Sequence, residues 1–537
     1  MIGQALPSPR RMWTGCLSAG WLGLLLAALA VHAQYVPYIF DENQYVAAGA
    51  ALARQGLWPF FDYPYFHLPN LVLVYAGVYL FTDDLLTAGR LVSAAGAWVC
   101  LAVVFAGVLG VTRAWAAPLR VACAAAATLL LWATPQFVLT VGKAWNQDPA
   151  LAAAMLALVA LWRAAASRRH PGVWGLACGA MLGMAIGTRV TMAPLLAGFL
   201  VLVPLVPRGK DVRLQIMGGL LGGGAVLLLP TILAWVARPE AFWFGVLEYP
   251  LLNVLAERAD PVMAKVMPPS ARAVTLADKP AMIAGSLQHP ATLILLVAFG
   301  ALGLPAAAWA WMRGGTGSFK LRSSLVVAVL ITAGAVSPLP MFGHYVYPAL
   351  PPLLLTAVLG AGWLGRRLPR ACGRGPVTAM AACVVVGAML AVPRLVVLGQ
   401  AVTRGQATVP QRLARQASEL DAVPQARRVL TLSPLHAALA GRAFHEDVLA
   451  GPLPFRVGPW IATSRVAELE LLVPRNLDTA MMHAPPQAIL TGVTVMPYWE
   501  ESLVSYAKEQ LFTPMPLGDR RVLWLSPTLT RGADARR

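Results

Sequence analysis

The chain has 537 residues, of which 58% are hydrophobic and 12% are charged, and its mean hydropathy is +0.64. Apolar stretches of about 20 residues recur along the sequence, so the composition excludes a water-soluble protein and predicts a polytopic membrane protein. The net charge of +18 does not indicate nucleic-acid binding, because the basic residues are scattered in short clusters between the apolar runs. That distribution is typical of residues that set membrane orientation.

Hydropathy and length predict eleven membrane helices in an otherwise all-α membrane region. The predicted spans are residues 13–33, 90–111, 119–140, 148–163, 173–188, 191–206, 213–236, 290–311, 323–338, 346–364 and 377–396. The first run ends in "AVHAQ", a pattern typical of signal-peptidase sites. We favour an uncleaved first helix, because the run is long for a signal peptide and the acids that follow it need anchoring at the membrane.

A further apolar stretch, from Leu68 to Phe81, is predicted to lie along the outer membrane interface. As a helix it would reach about 21 Å, short of a hydrocarbon core about 30 Å thick. If it does not span, every basic cluster falls on one side of the membrane, and the positive-inside rule makes that side cytoplasmic. The clusters are Arg10/Arg11, Arg113/Arg120, Arg163/Arg168/Arg169, Arg208/Lys210/Arg213, Arg313/Lys320/Arg322 and Arg366/Arg367/Arg370/Arg374.

This topology predicts a protein of the inner (plasma) membrane, with a cytoplasmic N-terminus and an extracytoplasmic C-terminal region. Residues 1–396 form the predicted membrane module, with large outer loops at 34–89 and 237–289. Residues 397–537 are more polar and form a predicted extracytoplasmic α/β domain. Its β-like runs are at 427–434, 487–493 and 520–527, with a helical pattern at 501–511.

Two adjacent acids, Asp41 and Glu42, follow the first predicted span directly. A carboxylate at the end of a membrane helix can act as a general base or orient a hydroxyl. Neighbouring residues do not share a helix face, so we expect one acid to be catalytic and the other to support it. Alternatively, Asp41 is simply the N-cap of a helix that Gly56 closes, and the residues alone leave both interpretations open.

Asp148 is the third candidate catalytic carboxylate, in "KAWNQDPALAAAMLALVALW". The predicted topology places it on the same face as Asp41, although an N-cap Asp followed by Pro149 is also a sufficient structural reason. Lys143 lies nearby and could hold an anion. Arg189 occupies a predicted outward turn, where its guanidinium suits phosphate; snorkelling or an ion pair is the alternative.

Aromatic and histidine residues recur in the outer loops. Tyr65 and His67 occur in "GLWPFFDYPYFHLPN", and His344 and Tyr345 in "PMFGHYVYPALPP". We predict that His67 helps bind phosphate and that Tyr65, His344, Tyr345 and Glu248 line a substrate pocket, although interface anchoring is the commoner role of such aromatics. No metal-ligand spacing or nucleotide motif occurs. The sequence therefore supports no cofactor, and a divalent metal stays an open option without a motif in its favour.

Four of these segments, in order, resemble the GT-C glycosyltransferases. They are the acidic pair with "GLWPFFDYPYFHLPN", then "NQDPALAAAMLAL", "GMAIGTRVTMAPLL" and "GHYVYPALPPLLL". The branches they resemble are those of protein O-mannosyltransferases and aminoarabinose transferases, over about residues 13–365. The resemblance implies a polyprenyl-phosphate sugar donor, inverting transfer, juxtamembrane helices in the first outer loop and a catalytic Asp at the position of Asp41.

The sequence departs from the aminoarabinose branch at two cations. That branch has "DExR" and "FEKPP", and the corresponding segments here read "DENQ" and "FHLPN", so that Gln44 and Leu68 replace the phosphate-binding Arg and Lys. Arg189, Lys143 and His67 are therefore the candidates for donor phosphate binding. Arg189 itself stands where the family segment "GxxxxTK" usually has Lys.

The sequence thus predicts a membrane glycosyltransferase that uses a lipid-linked donor at the outer face. Its partners would be a polyprenyl-phosphate-linked sugar, an acceptor that is lipid, glycan or protein, and the membrane lipids. Two alternatives stay open: a transporter or flippase for an envelope lipid or glycan, which would need polar residues at mid-membrane, and a non-catalytic envelope assembly protein.

Overall fold

The computed structural model describes residues 9–260, 272–313, 318–369, 374–494 and 496–534. Within these ranges, nine helices are long and apolar enough to cross a bilayer, which confirms a multi-pass membrane protein. They span Met12–Tyr35, Leu85–Val111, Gln147–Ala166, Pro171–Thr188, Lys210–Ala237, Pro290–Arg313, Phe319–Val336, Gly343–Arg367 and Gly375–Thr403.

Two predicted spans are shorter than expected, because proline interrupts both. The run 119–140 forms helix Ala117–Ala133 and then a separate turn, Pro135–Thr140. The run 191–206 begins with the 3₁₀ turn Val190–Met192 and continues as helix Pro194–Leu202. Proline has no backbone N–H to donate and is favoured in the first turn of a helix, and Pro135 and Pro194 each start a new helix.

One pair of membrane helices packs unusually closely. Helices Pro171–Thr188 and Lys210–Ala237 cross where glycines remove side-chain bulk. A Cβ at Gly179 would lie 2.0 Å from the carbonyl oxygen of Leu220, and one at Gly223 would lie 2.1 Å from that of Leu176. The two backbones are therefore in direct contact, as small residues permit between membrane helices.

The first outer loop contains two short helices, Glu42–Gln55 and Asn70–Tyr79. The first ends at Gly56, whose φ of 71° is the left-handed conformation that closes a helix, as predicted. The second has 10 residues and lies within the stretch predicted not to span. Both agree with the juxtamembrane helices expected of this loop.

The second outer loop is also mostly helical. It contains Pro239–Trp243, a π-helical turn at Phe244–Glu248, Tyr249–Ala259 and Lys279–Leu287. Strand β1, Arg272–Ala273, pairs antiparallel with β2, Met341–Phe342, so that this loop is attached to the segment before the eighth long helix.

The C-terminal region is the predicted α/β unit, built on a five-stranded mixed sheet. Its strands are β3 Arg428–Leu430, β4 Ala443–Phe444, β5 Ala488–Thr491, β6 Thr513–Pro516 and β7 Val522–Leu525, in the order β4-β3-β5-β7-β6. The β3 strand pairs parallel with β4 and β5, and β7 pairs antiparallel with β5 and β6. The three predicted β-like runs are β3, β5 and β7.

Helices surround this sheet and connect its strands. They are Val409–Ser418, Pro434–Leu439, Leu453–Val457, Thr463–Glu468, Leu477–His483, Glu501–Glu509 and Pro527–Asp534. The boundary predicted at residue 397 falls inside helix Val392–Thr403, and the first helix of the α/β unit begins at Val409.

The α/β unit packs against the first outer loop through buried polar contacts. The Ser433 hydroxyl donates to Asn43 Oδ1 over 3.0 Å, and the Leu435 backbone N–H donates to the same oxygen over 3.2 Å. Asn43 directly follows the acidic pair, so this contact brings the C-terminal unit to the loop that carries Asp41 and Glu42.

Candidate active site

Asp41 occupies the turn between the first membrane helix and helix Glu42–Gln55. It has the N-cap position, but its side chain makes no capping hydrogen bond, so capping does not explain the residue. Its half-buried carboxylate lies within electrostatic range of the cations of Arg456, Lys143 and Arg189. Burial raises the pKa of Asp41, and Arg456 is the strongest influence in the opposite direction.

Glu42, one residue later, is sealed in the protein interior. Arg90 donates to its two carboxylate oxygens over 2.9 and 2.7 Å, and the backbone N–H groups of Ala144 and Ile39 donate to it over 2.8 and 3.2 Å. Both Arg90 and Glu42 side chains are fully buried. Glu42 is therefore the structural member of the acidic pair, and it holds the first outer loop against the loop that carries Ala144.

Lys143 and Arg189, two of the three residues predicted to bind the donor phosphate, both act electrostatically on Asp41. The Lys143 side-chain nitrogen lies 5.1 Å from the centre of the Trp145 ring, and burial lowers its pKa. Arg189 donates to Asn146 Oδ1 over 3.0 Å and to Thr191 Oγ1 over 2.9 Å. Over the described residues, neither side chain has a carboxylate within salt-bridge distance, so an anion bound there would meet no competing carboxylate.

His67 belongs to the same group, but it does not supply a charge. Its ring stacks on Tyr45, with 5.1 Å between ring centres, and meets Tyr65 edge-on. Burial, with a smaller contribution from Arg189, lowers the pKa of His67 to about 3. The imidazole is therefore neutral near pH 7 and can offer a phosphate one hydrogen bond. The predicted role of His67 in binding phosphate would therefore rest on a hydrogen bond and not on a charge.

The three predicted aromatic pocket residues lie around these groups. Tyr345 faces the Arg189 guanidinium, which is 5.2 Å from its ring centre. His344 packs on Trp145, with ring centres 5.1 Å apart. Tyr65 is buried, and its hydroxyl has no hydrogen-bond partner among the described residues. The aromatic residues predicted from separate motifs therefore share one region, next to the cations.

Asp148 is placed differently from the prediction. Helix Gln147–Ala166 begins one residue earlier, with Asn146 at the N-cap, so Asp148 lies in the first turn. It is fully buried, and its Oδ2 accepts a hydrogen bond from the backbone N–H of Gly142 over 3.1 Å. This hydrogen bond ties the loop before the helix to the first turn of the helix, which is a supporting role.

Glu248 does not lie in the predicted pocket. Its carboxylate is about half exposed and pairs with Arg465 of the α/β unit over 2.9 Å. The same guanidinium also binds Glu240 and Glu468. The reason is local: the π-helical turn that ends at Glu248 directs this side chain toward the α/β unit. Glu248 is thus a residue of the contact between two outer elements.

Sequence reasoning missed Arg456, in helix Leu453–Val457. Its guanidinium binds Glu257, which also binds Arg272, and lies over the Trp499 ring at 5.5 Å. It is also the cation with the largest effect on Asp41. No motif in the sequence singles out this arginine, because its relation to Asp41 arises only when the C-terminal unit docks on the outer loops.

Comparisons with known proteins identify the fold. The structure of ArnT from Cupriavidus metallidurans bound to undecaprenyl phosphate matches with a TM-score of 0.55 and 15% identity, covering 95% of this chain and 98% of that one. The apo structure of the same protein matches with a TM-score of 0.55 and 16% identity, covering 95% and 99%. The chain has the fold of ArnT. This agrees with the predicted fold, a bundle of membrane helices followed by a C-terminal α/β domain.

An apo oligosaccharyltransferase from Archaeoglobus fulgidus also matches, with a TM-score of 0.49 and 11% identity over 88% of this chain and 69% of that one. No protein-family model and no curated protein sequence matches the chain.

The group around Asp41 combines one accessible carboxylate with three cations and a set of aromatic faces. Among the described residues, no group of three or more His, Cys, Asp or Glu side chains could hold a metal ion. The three cations could stabilise a negative charge that develops near Asp41.

Proposed function

We propose that the protein is a membrane glycosyltransferase that moves a sugar from a polyprenyl-phosphate donor to an acceptor hydroxyl, with inversion at the anomeric carbon. The observation that carries this proposal is the position of Asp41: a half-buried carboxylate without a capping role that faces three cations. The ArnT fold supports the class of reaction and the lipid-linked donor, since one ArnT structure holds undecaprenyl phosphate.

In the proposed reaction the acceptor oxygen attacks the anomeric carbon as the bond from that carbon to the phosphate oxygen breaks. Asp41 accepts the proton that the acceptor hydroxyl loses. Its raised pKa brings the carboxylate closer to the range in which a general base is effective near neutral pH. The departing polyprenyl phosphate carries the negative charge away.

Arg189 and Lys143 bind the donor phosphate in this scheme. Arg189 presents a guanidinium whose described hydrogen-bond partners, Asn146 and Thr191, are both neutral. A phosphate can bring the counter-charge that these partners do not supply, and guanidinium is well suited to it. Tyr345 and His344 then lie where they can contact the sugar. Because Gln44 and Leu68 replace two cations of the aminoarabinose branch, we leave the sugar of this donor unassigned.

The proposed orientation follows from the basic clusters. The N-terminus is cytoplasmic, the Asp41 site and the α/β unit are extracytoplasmic, and the membrane is a bacterial inner membrane. In a variant with Thr82→Cys, membrane-impermeant thiol reagents should label the new cysteine from outside the cell. Labelling from the cytoplasmic side alone would overturn this topology.

The test of function is donor turnover by the purified full chain in nanodiscs. Polyprenyl-phosphate sugars are supplied with a membrane extract as acceptor source, and release of free polyprenyl phosphate is followed. We expect turnover by the wild type and a loss of about 10²–10⁴-fold in Asp41→Asn, the range for removing a positioned general base. Asp62→Asn is the matched control, because Asp62 lies in the same loop but accepts a hydrogen bond from the Trp58 backbone in an exposed turn.

The outcomes separate the alternatives. Failure of every donor to bind would remove the main support for a transferase and favour the transporter or assembly protein. Equal turnover by wild type and Asp41→Asn would exclude Asp41 as the base, while retaining a transferase.

A further inference from the structure

A second candidate binding site, lined mostly by residues of the α/β unit, includes Arg456 in its wall. Here the second outer loop and the C-terminal unit enclose a cavity of about 360 Å³, which lies within the size range of small-molecule sites. Its lining includes Trp460, Tyr498, Trp499, Asp260, Ser502 and Arg456. None of these residues was singled out by the sequence.

The aromatic residues of this cavity are open to a ligand. Trp460 is 36% exposed, and Tyr498 and Trp499 are partly exposed, with ring planes at 73° to each other. The faces of such rings favour flat apolar surfaces and the C–H groups that carry a slight positive charge.

The polar groups of the cavity are arranged for hydroxyl groups. The Tyr498 hydroxyl donates to Asp260, which fixes this pair at the wall. Arg456 Nε and Ser502 Oγ are buried polar atoms without a hydrogen-bond partner among the described residues, and the Arg456 side chain is only 10% exposed. Unpaired buried donors cost free energy, which a ligand in the cavity can recover by accepting from them.

A pyranose ring has both surfaces that this cavity matches. One face presents C–H groups, which suit the indole and phenol rings, and the rim presents hydroxyls, which accept from arginine and serine and donate to carboxylates. The carboxylates of Asp260 and Glu501, which also line the cavity, disfavour an anionic ligand such as a free phosphate.

Arg456 joins this cavity to the site around Asp41. One residue forms part of the cavity wall and is also the cation that acts most strongly on the Asp41 carboxylate. Arg456 therefore belongs to the wall of the cavity and also acts on the carboxylate that would activate an acceptor hydroxyl.

We propose that the cavity lined by Trp460, Trp499 and Arg456 binds a neutral saccharide, and that this saccharide is the acceptor. The acceptor role rests on the function proposed above. The acceptor is therefore a glycan or glycolipid, and the C-terminal unit selects it.

Binding can be tested without any donor. Saturation-transfer NMR is applied to the full chain in nanodiscs with methyl glycosides of glucose, galactose, mannose, rhamnose and N-acetylglucosamine as probes. We expect at least one glycoside to bind the wild type and to bind about tenfold more weakly to Trp460→Ala, because a stacked ring is lost. Trp174→Ala is the matched control, since Trp174 is 40% exposed on a membrane helix far along the chain from this cavity.

Ser502→Ala provides a second variant with a very small structural change, and it should weaken binding of the same glycoside. Absence of binding by every glycoside, or binding that Trp460→Ala and Ser502→Ala leave unchanged, would overturn the saccharide site. Competition of the bound glycoside by short neutral peptides, with higher affinity than any sugar, would also overturn it in favour of a protein acceptor.

The two proposals fail separately. Asp41→Asn should lower donor turnover by about 10²–10⁴-fold and retain glycoside binding, whereas Trp460→Ala should weaken glycoside binding. Failure of every donor to bind the wild type would therefore reject the transferase, while the saccharide site would still be judged by the glycoside binding measurement alone.

Discussion

The two adjacent acids of the turn, Asp41 and Glu42, differ in burial and in hydrogen bonding. Behind the turn, Glu42 is fully buried and receives hydrogen bonds from Arg90 and from backbone N–H groups. In front of it, Asp41 is half-buried and faces three cations without a capping bond. In the proposed function, the adjacent carboxylates would serve stability and reactivity separately, and the buried ion pair of Glu42 would hold Asp41 in place.

The largest expected effect is a loss of stability in Glu42→Gln. The substitution leaves Arg90 buried without its counter-charge, and breaking a buried ion pair from one side costs about 3–5 kcal/mol. We expect poor accumulation and a markedly lower unfolding temperature in detergent. Asp41→Asn is the control, and its unfolding temperature should match the wild type. Equal stability of the two variants would contradict the division of roles.

The second effect concerns donor binding. Arg189→Met removes a buried cation whose described hydrogen-bond partners are neutral. Hydrogen bonds to charged groups contribute about 1.5–3 kcal/mol, so the KM for the polyprenyl-phosphate sugar should rise about 10- to 100-fold. Arg54→Met is the control, because Arg54 pairs with the exposed Asp83 at the surface. An unchanged KM in Arg189→Met would place the phosphate elsewhere.

The third effect is on pH dependence. If Asp41 acts as a carboxylate, activity falls as the pH drops through its pKa. Arg456 lowers that pKa, so Arg456→Met should raise it and move the acidic limb of the kcat/KM profile to higher pH. A general loss of activity with an unmoved limb would mean that Arg456 does not act through Asp41.

The smallest effect is expected from Arg465→Gln. Its three carboxylate partners are about half exposed or more, and surface ion pairs contribute about 0–1 kcal/mol. We expect an unfolding temperature within a few degrees of the wild type and the wild-type acidic limb, so this variant is also the control for Arg456→Met. A large loss of stability would show that the contact between the outer loop and the α/β unit depends on this cluster.

The fold was largely predictable, because apolar length determines membrane helices. The nine long helices correspond to predicted runs, and the departures occur at Pro135 and Pro194, where proline ends one helix and starts the next. Hydropathy averages over such local breaks. The strands of the α/β unit were recognisable from alternating apolar segments, but the order of the sheet depends on long-range pairing that no segment encodes alone.

The site was predictable in part. Asp41, Lys143, Arg189 and Tyr345 were candidates by residue type and by their side of the membrane, and the fold brings them together. Arg90 lies at the start of an apolar run, and its ion pair with Glu42 could not be predicted because the two residues are 48 positions apart in the sequence. Arg456 was out of reach for the same reason, since a cation in a polar tail carries no local sign of a distant carboxylate.

The position of Arg456 in the chain also sets an order of events during biosynthesis. The membrane helices, Asp41, Lys143 and Arg189 are all synthesised before the segment that contains Arg456. A nascent chain that has already inserted its bundle therefore lacks one of the three cations until the C-terminal unit is made and docked. A prematurely terminated chain would insert into the membrane without Arg456. In the proposed function, folding of the C-terminal unit would therefore be the last step needed for activity.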